Sequence, residues 1–440
     1  MNVMDGDFMD IGNIDLRPCK YRLKSCIFKI EGRSDFEINP NYVSEIYIDK
    51  DFDNMAYPYF ELTVMLPPST YRDMRKKNSE LRCYVELQRA YTDLQMNQAS
   101  NSNELNFRTF IQDTFYIFLV DNTPELQSNF TETYESAAGL KQDEYGAGDA
   151  ITTRILLYNE EFFFRGRTIV NAVLQDATLL DGILYTINKA NLRNMLISPP
   201  DNITKYNQLI LPPISASEQL LRLVADYAMY EVGATVFFDF DRGYVLDNYN
   251  ACTVWEPDEI KQVYIISKEH NDDSSSMKTG SYEDPSRKFY AVNIEAGRAS
   301  FSNGSLLADQ SQGTDVISID TQTGEIHNVN SNAKTAGLGN TSQIVVSNTG
   351  EDTSKALAYT LKNTSRIAKI KLSNVDIDIF KPNKEYLFSF DTANFEEYMG
   401  SYHIMRFTAD LQKDGDLFVC SASAEFKGYD LETDDSRRFE

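Results

Sequence analysis

The segment LRCYVELQRAY, residues 81–91, alternates apolar and polar side chains at successive positions. Because neighbouring side chains of a strand point to opposite faces, Cys83, Val85 and Leu87 share one face. Such alternation is typical of a half-buried β-strand. The segment therefore predicts one strand of an antiparallel sheet or barrel.

The runs on either side of this segment follow the same pattern. VSEIYID at 43–49 and YFELTVML at 59–66 precede it, and FIQDTFYIFLV at 110–120 follows it. Together they predict an antiparallel sheet or barrel over 20–120. An N-terminal tail at 1–19 precedes this unit, and a polar linker at 121–149 follows it.

The apolar period changes to that of helices in the region 150–254. DATLLDGILYTINKAN at 176–191 predicts an amphipathic helix with Asp176 as its N-cap. Ser215 and Glu218 form a capping box for a second helix, and Asp241-Arg242-Gly243 predicts the turn of a hairpin. We expect a helix-containing connector or outer domain here.

Strand patterns return in 255–296 and 365–428, which predict a second β module. Within it, Val375, Ile377 and Ile379 alternate with Asp376 and Asp378, as expected for a strand. A Ser/Asn/Gly-rich insertion at 297–364 separates the two parts, either as a small β unit or as partly disordered chain, and a short helix at 354–365 closes it. A charged tail at 429–440 ends the sequence, and the fold class predicted is mainly β (α+β).

The composition restricts the function. With 66 Asp and Glu against 42 Lys and Arg, the formal net charge is −24, which is unsuited to binding nucleic acid as a ligand. The 5 cysteines are odd in number and never spaced as CxxC, which argues against a disulfide framework and a zinc site. The N-terminus lacks the charge pattern of a secretory signal, and no apolar run is long enough to span a bilayer. We therefore expect folding in a reducing, aqueous compartment and no stable association with a membrane.

No catalytic signature surrounds the 3 histidines, His270, His327 and His403. The sequence therefore predicts no catalytic residue, no enzyme activity and no cofactor. Three carboxylate pairs could present oxygens to a hard cation, but D-x-D within a strand also describes an ordinary acidic face, so no metal site is predicted. These pairs are Asp239 with Asp241, Asp272 with Asp273, and Asp376 with Asp378.

Aromatic residues are abundant, with 26 Tyr and 26 Phe. Both types suit half-buried strands, and both are enriched in protein interfaces. Tyr227, Tyr230, Phe237 and Phe238 are therefore either core residues or residues of a subunit or domain interface.

The order of segments resembles the central baseplate hub proteins of contractile-tailed phages, a family shared with contractile injection systems. The resemblance is carried by LISPPDNITKYNQLILPPIS at 196–215, ADYAMYEVGATVFFDFDRGYVLDNY at 225–249, VDIDIFKPNKEYLFSF at 375–390 and MGSYHIMRF at 399–407. It covers residues 20 to 290 and 365 to 428. Its turn and segment markers are Pro199, Pro200, Asp201, Asn202, Pro212, Pro213, Gly233, Pro382 and Asn383.

The resemblance implies a structural virion protein of the tail baseplate that forms a homotrimer. Each chain would supply two tube-type antiparallel β-barrel domains, at 20–120 and at 255–296 plus 365–428, with 150–254 on the outside. The trimer would join the six-fold tail tube to the three-fold central spike and would form part of the conduit for DNA and tape measure during genome ejection. The partners implied are the central spike protein, the tail tube protein and the baseplate wedge proteins, with viral DNA only as transiting cargo.

The implied location is the virion, after synthesis in the host cytoplasm. Asp376 and Asp378 would face the lumen, where carboxylates repel phosphate. Two alternatives remain: a tail-fibre or receptor-binding adaptor that binds through the insertion, and a tail-associated cell-wall hydrolase.

Overall fold

The computed structural model describes most of the chain between residues 16 and 428. The described residues are 16–31, 34–53, 56–75, 80–91, 105–120, 125–127, 150–225, 227, 229–230, 234–247, 259–267, 280–284, 286, 288–294, 299–303, 313–320, 326–334, 342–347, 366–390 and 398–428. The predicted helix at 354–365 and the charged tail lie outside the described residues, as do Gly233, Cys252, His270, Asp272 and Asp273.

The described residues are mainly strands, which confirms the predicted fold class. The strands of the first half are β1 (Cys19–Ile30), β2 (Phe36–Glu37), β3 (Val43–Asp51), β4 (Tyr59–Leu66), β5 (Leu81–Tyr91), β6 (Arg108–Val120), β7 (Glu125–Gln127), β8 (Ala150–Asn159), β9 (Ile169–Ala177), β10 (Met195–Ile197), β11 (Tyr206–Ser215), β12 (Ala234–Phe238) and β13 (Gly243–Asp247). Those of the second half are β14 (Gln262–Ser267), β15 (Ser281–Asp284), β16 (Phe289–Asn293), β17 (Ala299–Asn303), β18 (Gly313–Asp320), β19 (Ile326–Lys334), β20 (Ser342–Ser347), β21 (Arg366–Ser373), β22 (Glu385–Phe390), β23 (Gly400–Asp414) and β24 (Leu417–Gly428). The α-helices are α1 (Pro68–Met74), α2 (Glu160–Gly166), α3 (Leu179–Ala190) and α4 (Ala216–Ala225).

Eight antiparallel strands close into a barrel. Their order around the ring is β23, β3, β4, β8, β6, β5, β1 and β24, and β24 pairs with β23 to complete it. Closure leaves no unpaired edge within the ring. The ring draws on three of the predicted segments, 20–120, 150–254 and 365–428, and the division of the chain into domains stays a prediction.

The long hairpin β23–β24 also belongs to a second set of strands. Residues 406–412 of β23 pair with β3 in the ring, whereas 400–402 pair with β22. Similarly, Phe418 and Val419 of β24 pair with β1, and residues 421–428 pair with β21. The second set runs β15, β16, β14, β22, β23, β24, β21, β17, and its end strands are not paired with each other in the described part of the chain.

The barrel core follows the predicted periodicity. Cys83, Val85 and Leu87 are fully or almost fully buried, as are Val43 and Ile46. The last two are three positions apart, and a bulge between Val43 and Glu45 keeps both inside, because the extra residue shifts the pleat. The described cysteines, at positions 19, 26, 83 and 420, are buried thiols.

The outer region packs α3 and α4 against the antiparallel ribbon β9–β11. The predicted capping box of α4 is confirmed, since Glu218 N donates to Ser215 Oγ and Ser215 N donates to the Glu218 carboxylate. The predicted cap of α3 is wrong. Thr178 caps that helix in a box with Asp181, because β9 continues to Ala177, which pairs with Tyr206.

The insertion contains a separate three-stranded sheet in the order β19, β18, β20. This agrees with the small β unit, one of the two alternatives for the region. No helix among the described residues is long and apolar enough to cross a membrane.

The prediction of a strand over 375–379 is wrong. Ile377–Ile379 form a 3-10 turn, which Asp376 caps by accepting a hydrogen bond from the backbone N–H of Asp378. The hydroxyl of Tyr21, on β1, donates to Val375 O at 3.0 Å and accepts from Ile377 N at 2.8 Å. These two hydrogen bonds replace those that a neighbouring strand would make with the backbone.

Candidate functional site

Arg89 binds both carboxylates of the 3-10 turn. Its Nη1 donates to Asp376 Oδ2, and its Nη2 donates to Asp378 Oδ2 at 3.0 Å. Tyr91, on the same strand β5, donates its hydroxyl to Asp376 Oδ2 at 2.6 Å. The Asp376 side chain is only 1% exposed, so the Arg89 cation and the hydrogen bond from Tyr91 stabilise its charge in place of water.

Lys381 connects this turn to the β12–β13 hairpin. Its Nζ lies 3.0 Å from Asp378 Oδ1 and 3.1 Å from Asp241 Oδ2. Burial raises the pKa of Asp378, but Lys381 and Arg89 outweigh burial and hold the pKa below its usual range. Burial lowers the pKa of Lys381, but Asp378 and other neighbours outweigh it, and the net pKa lies well above the ordinary value.

Glu259 accepts hydrogen bonds from three neighbouring side chains. Lys384 Nζ and Asn383 Nδ2 donate to Glu259 Oε1 at 2.8 and 3.2 Å, and Arg242 Nη1 donates to Oε2 at 3.3 Å. Burial lowers the pKa of Lys384, although Glu259 partly compensates. Pro382 and Asn383 thus form a turn between two buried lysines, Lys381 and Lys384.

Lys50 and Asp239 form the most deeply buried ion pair among the described residues. Lys50 Nζ lies 2.8 Å from Asp239 Oδ2, and both side chains are 1% exposed. The ammonium group also lies 5.2 Å from the centre of the Phe240 ring. The pair joins β3 of the barrel to the turn of the β12–β13 hairpin.

These contacts form one charge junction, defined here as Lys50, Arg89, Asp239, Asp241, Glu259, Asp376, Asp378, Lys381 and Lys384. It joins the barrel, the outer hairpin and the second strand set. Because a buried charge that loses its partner is strongly unfavourable, the junction can fix the relative position of these parts. The described carboxylate pairs are bound by lysine and arginine, and no described group of three or more His, Cys, Asp or Glu residues could hold a metal ion.

The burial of Asp376 corrects one prediction. Asp376 cannot line a water-filled lumen, because its side chain is buried within a single chain and further chains can only bury it more. The Asp378 side chain is 32% exposed, and its orientation relative to a lumen stays a prediction. Neither residue lies on the solvated acidic strand that the D-x-D pattern suggested.

Phe237 and Phe238 are adjacent on β12 and enter different cores. Phe237 meets Phe52 edge to face at 4.7 Å in the barrel core, whereas Phe238 stacks on Tyr57 at 5.3 Å beside the outer core. Both are fully buried. These two residues of the predicted interface therefore lie where two cores of one chain meet.

Tyr227 and Tyr230 are held by the proline-containing segment before β11. Tyr230 donates its hydroxyl to Ser198 O at 2.8 Å, and Asn202 Nδ2 donates to Tyr227 O at 3.3 Å. The backbone N–H groups of Asp201 and Asn202 both donate to Met229 O at 3.1 Å. The markers Pro199 and Pro200 precede this contact, and Pro212 and Pro213 lie at a bulge of β11 between Leu211 and Ile214.

His403 is buried on β23, directly opposite Lys427 of β24, in the part of the hairpin that belongs to the second strand set. Burial lowers the pKa of His403 to about 4, and Lys427 adds to the shift. Its Nε2 has no hydrogen-bond partner in the described residues. A neutral, enclosed imidazole of this kind is unsuited to proton transfer with a substrate at neutral pH.

His403 makes stability depend on pH. Between pH 6.5 and 4 the unfolded chain binds a proton at this position that the folded chain does not, so stability falls as pH falls through this range. Between pH 7 and 5, the wild-type protein should lose about 2 kcal/mol more of its free energy of unfolding than the variant His403→Leu. Urea unfolding of both proteins at the two pH values measures the difference, and equal pH dependence would contradict the assignment.

Sequence reasoning missed the cations of the junction. Lys50 follows an alternating strand and looks like an ordinary end residue, and Arg89 looks like an exposed position of β5. The only local signal is KPNK at 381–384, where two lysines surround a proline turn inside an otherwise apolar stretch. The carboxylates were noticed as pairs, but their partners are distant in sequence.

Solved structures that are similar to this chain include two tail proteins. The tail protein of Neisseria meningitidis MC58 has 10% identity and a TM-score of 0.48, with 93% of this chain and 96% of that chain covered. The 43 kDa tail protein of prophage MuSo2 from Shewanella oneidensis has 11% identity and a TM-score of 0.48, with 91% and 97% covered. The lidded PdpA-VgrG complex of Francisella has 9% identity and a TM-score of 0.48, with 95% of this chain and 54% of that chain covered. No curated protein matches the sequence significantly.

A family model described as Bacteriophage PBS1 gene 109 protein matches residues 21–427. The match includes the ring, the outer region and the second strand set, and it confirms the resemblance to phage proteins that the sequence suggested. The chain therefore belongs to the bacteriophage PBS1 gene 109 protein family.

Proposed function

We propose that the chain is a non-enzymatic structural protein of a phage tail baseplate, and that three copies assemble as its hub. One observation carries the proposal: the hairpin β23–β24 is shared by a closed ring of eight strands and by a second set of eight strands. In the proposed assembly each chain supplies these two β units, and three chains supply six. This number suits a connection between a six-fold tail tube and a three-fold spike.

The proposed partners are a second and third copy of the chain, the central spike, the tail tube and the baseplate wedge. DNA and tape measure would pass through the trimer during genome ejection. The net charge of −24 supports this role, because an acidic passage repels phosphate and does not retain it. The protein would be made in the host cytoplasm and incorporated into the virion.

The mass of the purified protein in solution tests the proposal. We expect three chains of 50.2 kDa each, seen as a ring with a central opening in negative-stain images. A compact monomer at micromolar concentration would contradict the hub. That result would favour the tail-fibre or receptor-binding adaptor, with the β18–β20 sheet as the binding element.

A further inference from the structure

A cavity of about 410 Å³ opens between the barrel and the second strand set. Its walls come from the end of β5, the start of β6, strand β15 and the residue Arg17 just before β1. The cavity borders the charge junction, because Arg89 belongs to its wall. Its volume falls within the range of roughly 300 to 1,000 Å³ that is usual for ligand sites. We call it the arginine pocket, because Arg17, Arg89 and Arg108 all line it.

Strand pairing brings two arginines together at this pocket. Arg89 of β5 lies directly opposite Arg108 of β6, so both side chains are on one face of the sheet. A bulge between Leu87 and Gln88 sets this register. Like charges directly opposite each other are unfavourable. The carboxylates of the 3-10 turn compensate Arg89, whereas Arg108 is exposed and forms no ion pair within the part of the chain that the structure describes.

The wall formed by β15 is fixed by backbone contacts. Arg17 N donates to Ser281 O and Ser281 N donates to Arg17 O, both at 3.0 Å. Gly280 has a φ of +140°, and a Cβ at this position would overlap Arg17 O, so the close approach requires glycine. Asp376 N donates to Ser281 Oγ at 2.9 Å, which holds β15 against the 3-10 turn. The pocket is therefore already formed without a ligand.

The pocket has an excess of positive charge. Arg89 and Lys381 balance the two carboxylates of the 3-10 turn. The rest of the wall has Arg17 and Arg108 as cations and Glu283 as its acid. Salt screens charges beyond about 8 Å, so the acids elsewhere on a chain of net charge −24 act weakly on a group inside the pocket.

The residue types in the wall indicate the class of ligand. A guanidinium group binds a carboxylate or a phosphate through two parallel hydrogen bonds. Glu283 favours the carboxylate, because a phosphate group has the higher negative charge at neutral pH and is repelled more strongly. The oxygens of Glu283 can also accept a backbone N–H of a peptide.

We propose that the arginine pocket binds a peptide segment of a partner protein through its Asp or Glu side chains. Arg17 and Arg108 hold a carboxylate of the segment, and Glu283 accepts one of its backbone N–H groups. The inference goes beyond the proposed hub and does not depend on the number of copies in the assembly.

Binding of a fluorescein-labelled peptide of alternating Glu and Ser residues to the full chain tests the inference. Fluorescence anisotropy measures the dissociation constant, and the control peptide has Gln in place of Glu. The variant Arg108→Gln removes a charged hydrogen bond, so the dissociation constant of the Glu peptide should rise by about 10- to 100-fold. The control variant Arg154→Gln, which alters an arginine that is 66% exposed and outside the pocket, should bind like the wild type.

Loss of folding is separated from loss of binding by the melting temperature. Because Arg108 is exposed and forms no ion pair with a described residue, the melting temperature of Arg108→Gln should equal that of the wild type. The charge reversal Arg108→Glu should bind the Glu peptide still more weakly. Equal affinity of the wild type and both variants would overturn the inference, as would equal affinity for the Glu and Gln peptides. Displacement of the peptide by inorganic phosphate at equal or lower concentration would also overturn it and would make the pocket a phosphate site. A monomeric protein that binds the Glu peptide would contradict the hub and leave this inference standing.

Discussion

Replacing Lys50 by methionine is expected to lower the free energy of unfolding by about 3 to 5 kcal/mol. The replacement keeps an unbranched side chain in the cavity but leaves the Asp239 carboxylate buried, with its side chain 1% exposed and its cation removed. Solvation cannot compensate for the lost partner at that depth. Urea unfolding followed by circular dichroism measures the loss.

Two further variants separate the buried charge from other effects. Lys24→Met removes a cation whose side chain is 54% exposed and which lies 2.9 Å from Glu86, so it should cost less than about 1 kcal/mol. Lys50→Met combined with Asp239→Leu removes both charges and should recover most of the loss, because no unpaired charge remains. A loss below 1 kcal/mol for Lys50→Met alone would show that the pair does not stabilise the junction.

The replacement Arg89→Met is expected to cost a similar amount, about 3 to 5 kcal/mol at neutral pH. Arg89 is the cation that contacts both carboxylates of the 3-10 turn, and Asp376 has almost no access to water. Without Arg89, the two acids retain Tyr91 and Lys381 as partners. The turn and its contact with β5 should therefore loosen.

The cost of Arg89→Met should depend on pH in a defined direction. The pKa of Asp378 is lowered in the folded protein, so its pairing stabilises the fold above the unfolded pKa of about 3.9, and this contribution is lost as pH falls below it. The difference in free energy of unfolding between wild type and variant should therefore be largest at neutral pH and should decrease towards pH 3. The control is Lys369→Met, which removes a 55% exposed lysine from its ion pair with Glu425. Its free energy of unfolding should differ only slightly from that of the wild type, and by nearly the same amount at every pH. A gap that widens on acidification would contradict the arrangement.

Local patterns predicted the barrel strands well. Cys83, Val85 and Leu87 could be placed on one face because strand periodicity depends on a few adjacent residues. The same holds for the box of Ser215 and Glu218, whose contacts lie within one helical turn. Such features need no knowledge of distant segments.

The charge junction could not be predicted in this way. Arg89 and Asp376 are 287 positions apart, so neither residue indicates its partner. The alternation of Val375, Ile377 and Ile379 arises because these side chains are buried, but Asp376 is buried too, through its ion pair. The alternation was interpreted as one buried and one exposed face, and it therefore predicted a strand. The chain forms a turn there instead.

The sequence also does not distinguish exposed aromatic residues from buried ones. Phe237 and Phe238 are adjacent residues of the same type, yet each belongs to a different core. The exposure of Phe118 has no local sequence signal, because its outward orientation depends on a bulge in the pairing of β6 with β8. Only the registers of the strands reveal this orientation.

The closure of the ring by the hairpin β23–β24 also determines when the barrel can fold during synthesis. Strand β3 contacts β23 through Asp49 and Arg406, which are 357 positions apart. At roughly 5 to 20 residues per second, β1 and β3 leave the ribosome tens of seconds before their final neighbours exist. During that interval their edges are open to other nascent chains, and long-range pairing of this kind folds slowly. The yield of native protein should therefore depend on chaperones that shield these early strands.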